Sequence, residues 1–138
     1  MLARLLLWRD DVRPAESGAW AATKRCSLLL IIEDLRLGEE ILALATELGH
    51  VCELRRQRHE ARESLLRGGF EAVIVDLERS ASDGISLLAT VRRFGDDVWI
   101  VALLPAHVHP EPTMAYDVAL SKPLSAEAVL ASLARMPS

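Results

Sequence analysis

Ser27-Leu28-Leu29-Leu30-Ile31-Ile32-Glu33-Asp34 is an unbroken aliphatic run closed by two acids. A strand with one face in water alternates apolar and polar residues; a run without alternation reads as a strand buried on both faces. In the residues that follow, Leu37, Ile41, Leu44, Ala45 and Leu48 recur at the spacing of one helix face, and Gly49 ends the pattern. A doubly buried strand feeding an amphipathic helix is the unit of a parallel sheet covered on both sides.

Outward from this unit the alternation continues. Val51–Arg55 reads as a short strand and Glu60–Arg67 as a helix stopped by Gly68-Gly69. Phe70–Val75 is a second buried strand, and after a polar loop Ile85, Leu88 and Val91 form a helix face that ends near Gly95. Val98–Leu104 is the fourth strand. Pro105, Pro110 and Pro112 argue against a long helix over 105–116. Val118–Leu120 is a short fifth strand, and Ser125 is placed to cap a last helix with Val129, Leu130 and Leu133 inward. Five strand–helix units predict a doubly wound five-stranded parallel α/β sheet, with the helix between the fourth and fifth strands shortened or missing.

Composition sets the outer bounds. The chain has 138 residues, 51% of them hydrophobic and 26% charged, enough for one globular core. Its net charge of −4 gives no overall positive field for nucleic acid. No apolar run approaches the roughly 18 residues that cross a bilayer. Cys26 and Cys52 are too few for a disulfide scaffold or a four-ligand zinc site, and no export signal is apparent, so a reducing cytoplasm is expected. Residues 1–25 carry a net +2 against −6 for the rest, which divides an N-terminal extension (1–25) from a domain over 26–138. Arg4–Asp11 resembles a strand ending in acids, but no amphipathic helix follows it; packing on a sheet edge or on a second copy as a homodimer is the expectation there.

In doubly wound sheets, ligands sit beyond the carboxyl ends of the strands. There stand Glu33 and Asp34 after the first strand, Asp76 after the third, and Lys122, one of only two lysines, after the fifth. Three carboxylates at one edge repel unless a cation is present, and oxygen ligands of this kind suit Mg²⁺. The ammonium could neutralise a phosphoryl group or its carrier. Taken singly, the acids also suit a helix start or a turn, and the lysine a solvated loop.

Leu-Ile-Ile-Glu33-Asp34, Val-Ile-Val-Asp76-Leu, Asp83-Gly84 and Lys122-Pro123, in that order, resemble the receiver domain of two-component response regulators over residues 27–136. The resemblance implies a flavodoxin-like strand order 2-1-3-4-5 and Asp76 as phosphoacceptor. It implies Mg²⁺ held by Asp34, Asp76 and the carbonyl of Glu78, with Glu33 acting through water. Lys122 would pair with the phosphoryl oxygens, before a Lys122–Pro123 bond that is often cis. The implied partners are a sensor histidine kinase or phosphotransfer protein and a downstream protein. A phosphatase would carry its second acid as Glu78 follows Asp76, but on the first strand rather than the third.

The sequence departs from the family where the signal is read. The Thr or Ser expected at the end of the fourth strand is Leu103, the aromatic three positions before the lysine is Ala119, and Met-Pro after the acceptor is Arg79-Ser80. Only 18 residues separate Leu103 from Lys122. These changes favour either a phosphoacceptor with a non-standard output or a pseudo-receiver that binds a partner constitutively. Arg55, Arg56, Arg58, His59, Arg62 and Arg67 form a basic group balanced by Glu53, Glu60 and Glu63, and His107 and His109 lack further ligands for a metal.

Overall fold

The computed structural model describes residues 25–77, 88–93, 95, 97–108 and 116–137. Five parallel strands, β1 (Ser27–Ile31), β2 (Val51–Arg55), β3 (Ala72–Asp76), β4 (Trp99–Leu104) and β5 (Val118–Ser121), lie in the order β2-β1-β3-β4-β5. The helices are α1 (Leu35–Glu47), α2 (Arg58–Arg67) and α3 (Ala126–Ala131), the last continuing as a 3₁₀ turn over Ser132–Arg135; residues 88–93 are also helical. This is the doubly wound parallel sheet expected from the aliphatic runs, in the flavodoxin-like order that the resemblance implied. Residues 109–115 lie outside the described residues, and with them the question of a helix between β4 and β5.

Strand alternation divides the apolar side chains between two faces. Leu28, Leu30, Ile74, Val101 and Leu103 pack under α1 and α3, against Ile41, Ala45, Val129 and Leu130. Leu29, Val73, Val75, Ile100 and Leu104 pack on the other side, against Ala61 and Leu65 of α2 and Leu88 and Val91. β1, β3 and β4 are therefore covered on both faces, which is why their sequences lack alternation.

The predicted ends hold to within a few residues. Gly49 ends α1 at φ +94°, and a Cβ there would come within 2.8 Å of Arg25 Nε. Ser125 accepts a hydrogen bond from the Ala128 amide at 3.1 Å and caps α3. α2 starts two residues before Glu60, since Arg58 and His59 carry no apolar signal, and β3 starts at Ala72 rather than Phe70. The Glu71 amide already pairs with the Ser27 carbonyl (2.9 Å), while Glu71 Oε1 accepts from the Ser27 amide (3.1 Å).

Two polar networks tie the sheet to its surroundings. Glu53 on β2 accepts hydrogen bonds from Arg55, from buried Ser64 and from both Nη atoms of Arg67, at 2.9–3.0 Å. These bonds, led by those from Arg67, hold its carboxyl below the usual range. At the amino ends of β1 and β2, buried His50 accepts the Cys26 amide on Nδ1 at 3.1 Å, with Cys26 Sγ 3.7 Å away. Cys26 is buried and Cys52 half-buried, and burial pushes the Cys52 thiol up to about 11.

Candidate functional site at the carboxyl edge of the sheet

Parallel strands bring all their carboxyl ends to one edge, so residues remote in sequence meet there without any local signal. Asp76 is the last residue of β3, in register with Leu103 of β4. Two-residue alternation from Ile74 aims Asp76 and Leu103 at the α1/α3 face. The β4–β5 ladder continues one residue past Ser121, the Lys122 amide donating to the Leu104 carbonyl at 2.9 Å, and the Lys122–Pro123 bond is cis.

This register brings Lys122 Nζ to 2.9 Å from Asp76 Oδ1. The Asp76 side chain is 0% exposed and that of Lys122 16%, so the pair is shielded from bulk water. Removing charges from water is costly, and such a pair persists because each charge meets its opposite at contact distance. A buried carboxylate beside an ammonium can act as a nucleophile towards an anionic electrophile, because the ammonium offsets the repulsion between the two anions.

The acidic pair after β1 is held differently. Asp34 is exposed and caps α1: its Oδ1 accepts from the Leu37 amide at 3.2 Å, and its carbonyl from the Gly38 amide at 2.9 Å. Asp34 Oδ2 makes no hydrogen bond among the described residues. Half-buried Glu33 presents its carbonyl to Arg56, whose Nε and Nη2 both donate at 3.3 Å. Sequence reading placed Arg56 only in a basic group; no periodicity marks an arginine that reaches across to a loop 23 residues away.

Among the described residues, no three His, Cys, Asp or Glu side chains converge as a group that could hold a metal ion. Glu78, the remaining expected ligand, lies outside the described residues, as do Arg79, Ser80, Asp83, Gly84 and His109. Mg²⁺ does not require an all-protein cage; it keeps several waters and takes one or two carboxylates beside a phosphate. On donor chemistry, the hard oxygens of Asp34 and Asp76 at adjacent strand ends fit such an ion.

The two remaining positions are apolar. Leu103 is fully buried, and Ala119 is half-buried and packs against the core on the opposite face. Neither brings a hydroxyl or a mobile ring towards Asp76. No helix among the described residues is long and apolar enough to cross a membrane.

Neither a family model nor a curated protein matches the sequence. Solved structures do match. The PhyR stress response regulator aligns with a TM-score of 0.65 and 23% identity over 91% of this chain and 50% of its own. The chemotaxis protein CheY4 of Vibrio cholerae aligns with a TM-score of 0.71 and 18% identity over 83% of this chain and 100% of its own. A response regulator from Burkholderia pseudomallei, with a phosphorylated aspartic acid, a calcium ion and citrate, aligns with a TM-score of 0.65 and 22% identity over 80% of this chain and 66% of its own. The chain thus spans half the length of PhyR and all of CheY4. The fold is that of a response regulator receiver domain.

Proposed function

We propose that this chain is an atypical receiver that accepts a phosphoryl group on Asp76 in a Mg²⁺-dependent phosphorelay and passes the signal on by a non-standard route. The observation that carries the reading is the shielded contact between Asp76 and Lys122 at the carboxyl edge of the sheet.

A carboxylate oxygen of Asp76 attacks the phosphorus of a phosphohistidine on a sensor kinase or phosphotransfer protein. The P–N bond breaks, its electron pair stays with the imidazole, and an aspartyl phosphate remains. Little covalent chemistry falls to the protein, so positioning and charge neutralisation carry the step. Lys122 stays beside Asp76 and pairs with the incoming phosphoryl oxygens. Asp34, Asp76 and the Glu78 carbonyl, with Glu33 through water, would hold Mg²⁺, which when bound would neutralise the developing charge. The site modifies itself rather than turning over an external substrate.

The intact mass of the protein, incubated with a small acyl phosphate with and without Mg²⁺, tests this. Wild type gains one phosphoryl group in the presence of Mg²⁺ and Asp76→Asn gains none; an unchanged wild-type mass refutes the reading. A second reading, the constitutive interaction module, is favoured by fully buried Leu103 standing in register with Asp76, where the side chain offers no hydroxyl to a phosphoryl group. It predicts partner binding that is unchanged in Asp76→Asn. The extension over 1–25 belongs to the same proposal as an edge-packing or homodimer-forming segment. Removing it lowers the solution mass if it pairs two copies, and an unchanged mass refutes that role.

A further inference from the structure

We infer that Arg56 is a positioning residue for the divalent-cation side of the acidic site, acting through the backbone of Glu33 rather than by its charge. The inference rests on the phosphoacceptor reading and concerns one part of it, how the loop bearing Glu33 and Asp34 is kept at the edge.

The β1–β2 ladder stops at the Ile32 amide, which donates to the Arg55 carbonyl at 3.0 Å. One residue further on, both chains leave the sheet, β1 towards α1 and β2 towards α2. The Gln57 side chain makes no capping bond at the start of α2, so local capping does not fix that turn. Arg56 bridges the two departing chains, with Nε and Nη2 converging on the Glu33 carbonyl. On the other side of the same loop, Asp34 Oδ1 is bound to the Leu37 amide. The dipeptide is thereby fixed at both ends, by a guanidinium fork at the Glu33 carbonyl and by the first turn of α1 at the Asp34 carboxylate. Without the fork, this loop would be tied only through the bonds from Asp34 to the first turn of α1.

Two effects of Arg56 oppose each other. Its positive charge repels an arriving cation, while its fork pre-orients the ligands. Arg56 is exposed, so the high dielectric of the surrounding water weakens its repulsion of a cation. Orientation is not screened, and outer partners that hold metal ligands in place are commonly worth 10-fold or more in affinity. The positioning effect therefore dominates. Lysine can supply the charge but not a fork onto one carbonyl.

Mn²⁺ titration of the full chain, followed by the loss of the free-ion electron paramagnetic resonance signal, separates these effects. Arg56→Ala and Arg56→Lys are both expected to weaken Mn²⁺ binding by about 10-fold. Amide hydrogen exchange over residues 34–38 should accelerate, with the melting temperature unchanged because the side chain is exposed. Arg56→Ala binding Mn²⁺ as tightly as wild type, or more tightly, overturns the inference while leaving phosphoacceptance by Asp76 standing. Weakened binding in Arg56→Ala but not in Arg56→Lys also overturns it, since charge alone would then suffice. A wild type that neither binds Mn²⁺ nor gains a phosphoryl group overturns both.

Discussion

Lys122 Nζ contacts Asp76 Oδ1 at 2.9 Å across two strand ends that are 46 residues apart in sequence, with the Asp76 side chain wholly enclosed. Breaking such a pair from one side leaves the other charge buried and uncompensated, at about 3–5 kcal/mol. Lys122→Met is therefore expected to destabilise the fold by about 3 kcal/mol and to abolish phosphorylation. Lys122→Met combined with Asp76→Asn should recover most of that stability, because no buried charge then remains. Urea unfolding of the two single variants and the double variant measures the coupling; additive losses would show that the contact carries no energy.

Leu103 stands in register with Asp76 at 0% exposure, in the core layer beneath α1 and α3. Leu103→Thr removes packed carbon and should cost about 2–4 kcal/mol. It also places a hydroxyl beside the acceptor. Phosphorylated Leu103→Thr is expected to show amide shift changes spreading from β4 into β5, whereas phosphorylated wild type shows them only around Asp76. Equal spread in both proteins would contradict the account of a missing relay.

Burial, then the nearby charge of Arg25, lowers the affinity of His50 for a proton below its ordinary 6.5, with Glu71 opposing in part. The unfolded chain therefore takes up a proton before the folded one does. Stability from this group is complete above pH 6.5 and is lost progressively as pH falls from there through the lower folded-state value. His50→Gln should flatten the decline in melting temperature between pH 7 and pH 5.5. A parallel decline in both proteins would remove His50 as its cause.

Glu53 titrates in a different window. Its carboxyl is held below the ordinary 4.5, first by hydrogen bonds from Arg67, so its contribution is present above pH 4.5 and is lost below it. Glu53→Gln is expected to lower the melting temperature by roughly 3 °C at pH 7 and by less at pH 3.5. The bonds lie near the surface, so added salt should shrink the difference.

The layout of the sheet was legible because burial on both faces leaves a plain mark: Leu28 to Ile32 and Val73 to Val75 have no polar residue to alternate with. Asp76 was legible through its position immediately after such a run, and Lys122 through its place beyond the short fifth strand. Arg56, His50 and Glu53 were not, because their bonds join segments whose proximity exists only after folding. Asp34 carried two roles that a sequence cannot separate, helix cap and edge carboxylate, and its geometry shows the first directly.

The central claim is that the phosphoryl group is carried by Asp76. Borohydride reduction of the protein after treatment with an acyl phosphate and Mg²⁺ converts an aspartyl phosphate to homoserine, which tandem mass spectrometry locates. The account predicts homoserine at position 76 alone, and none in Lys122→Met. Homoserine at another carboxylate, or at none, would contradict it.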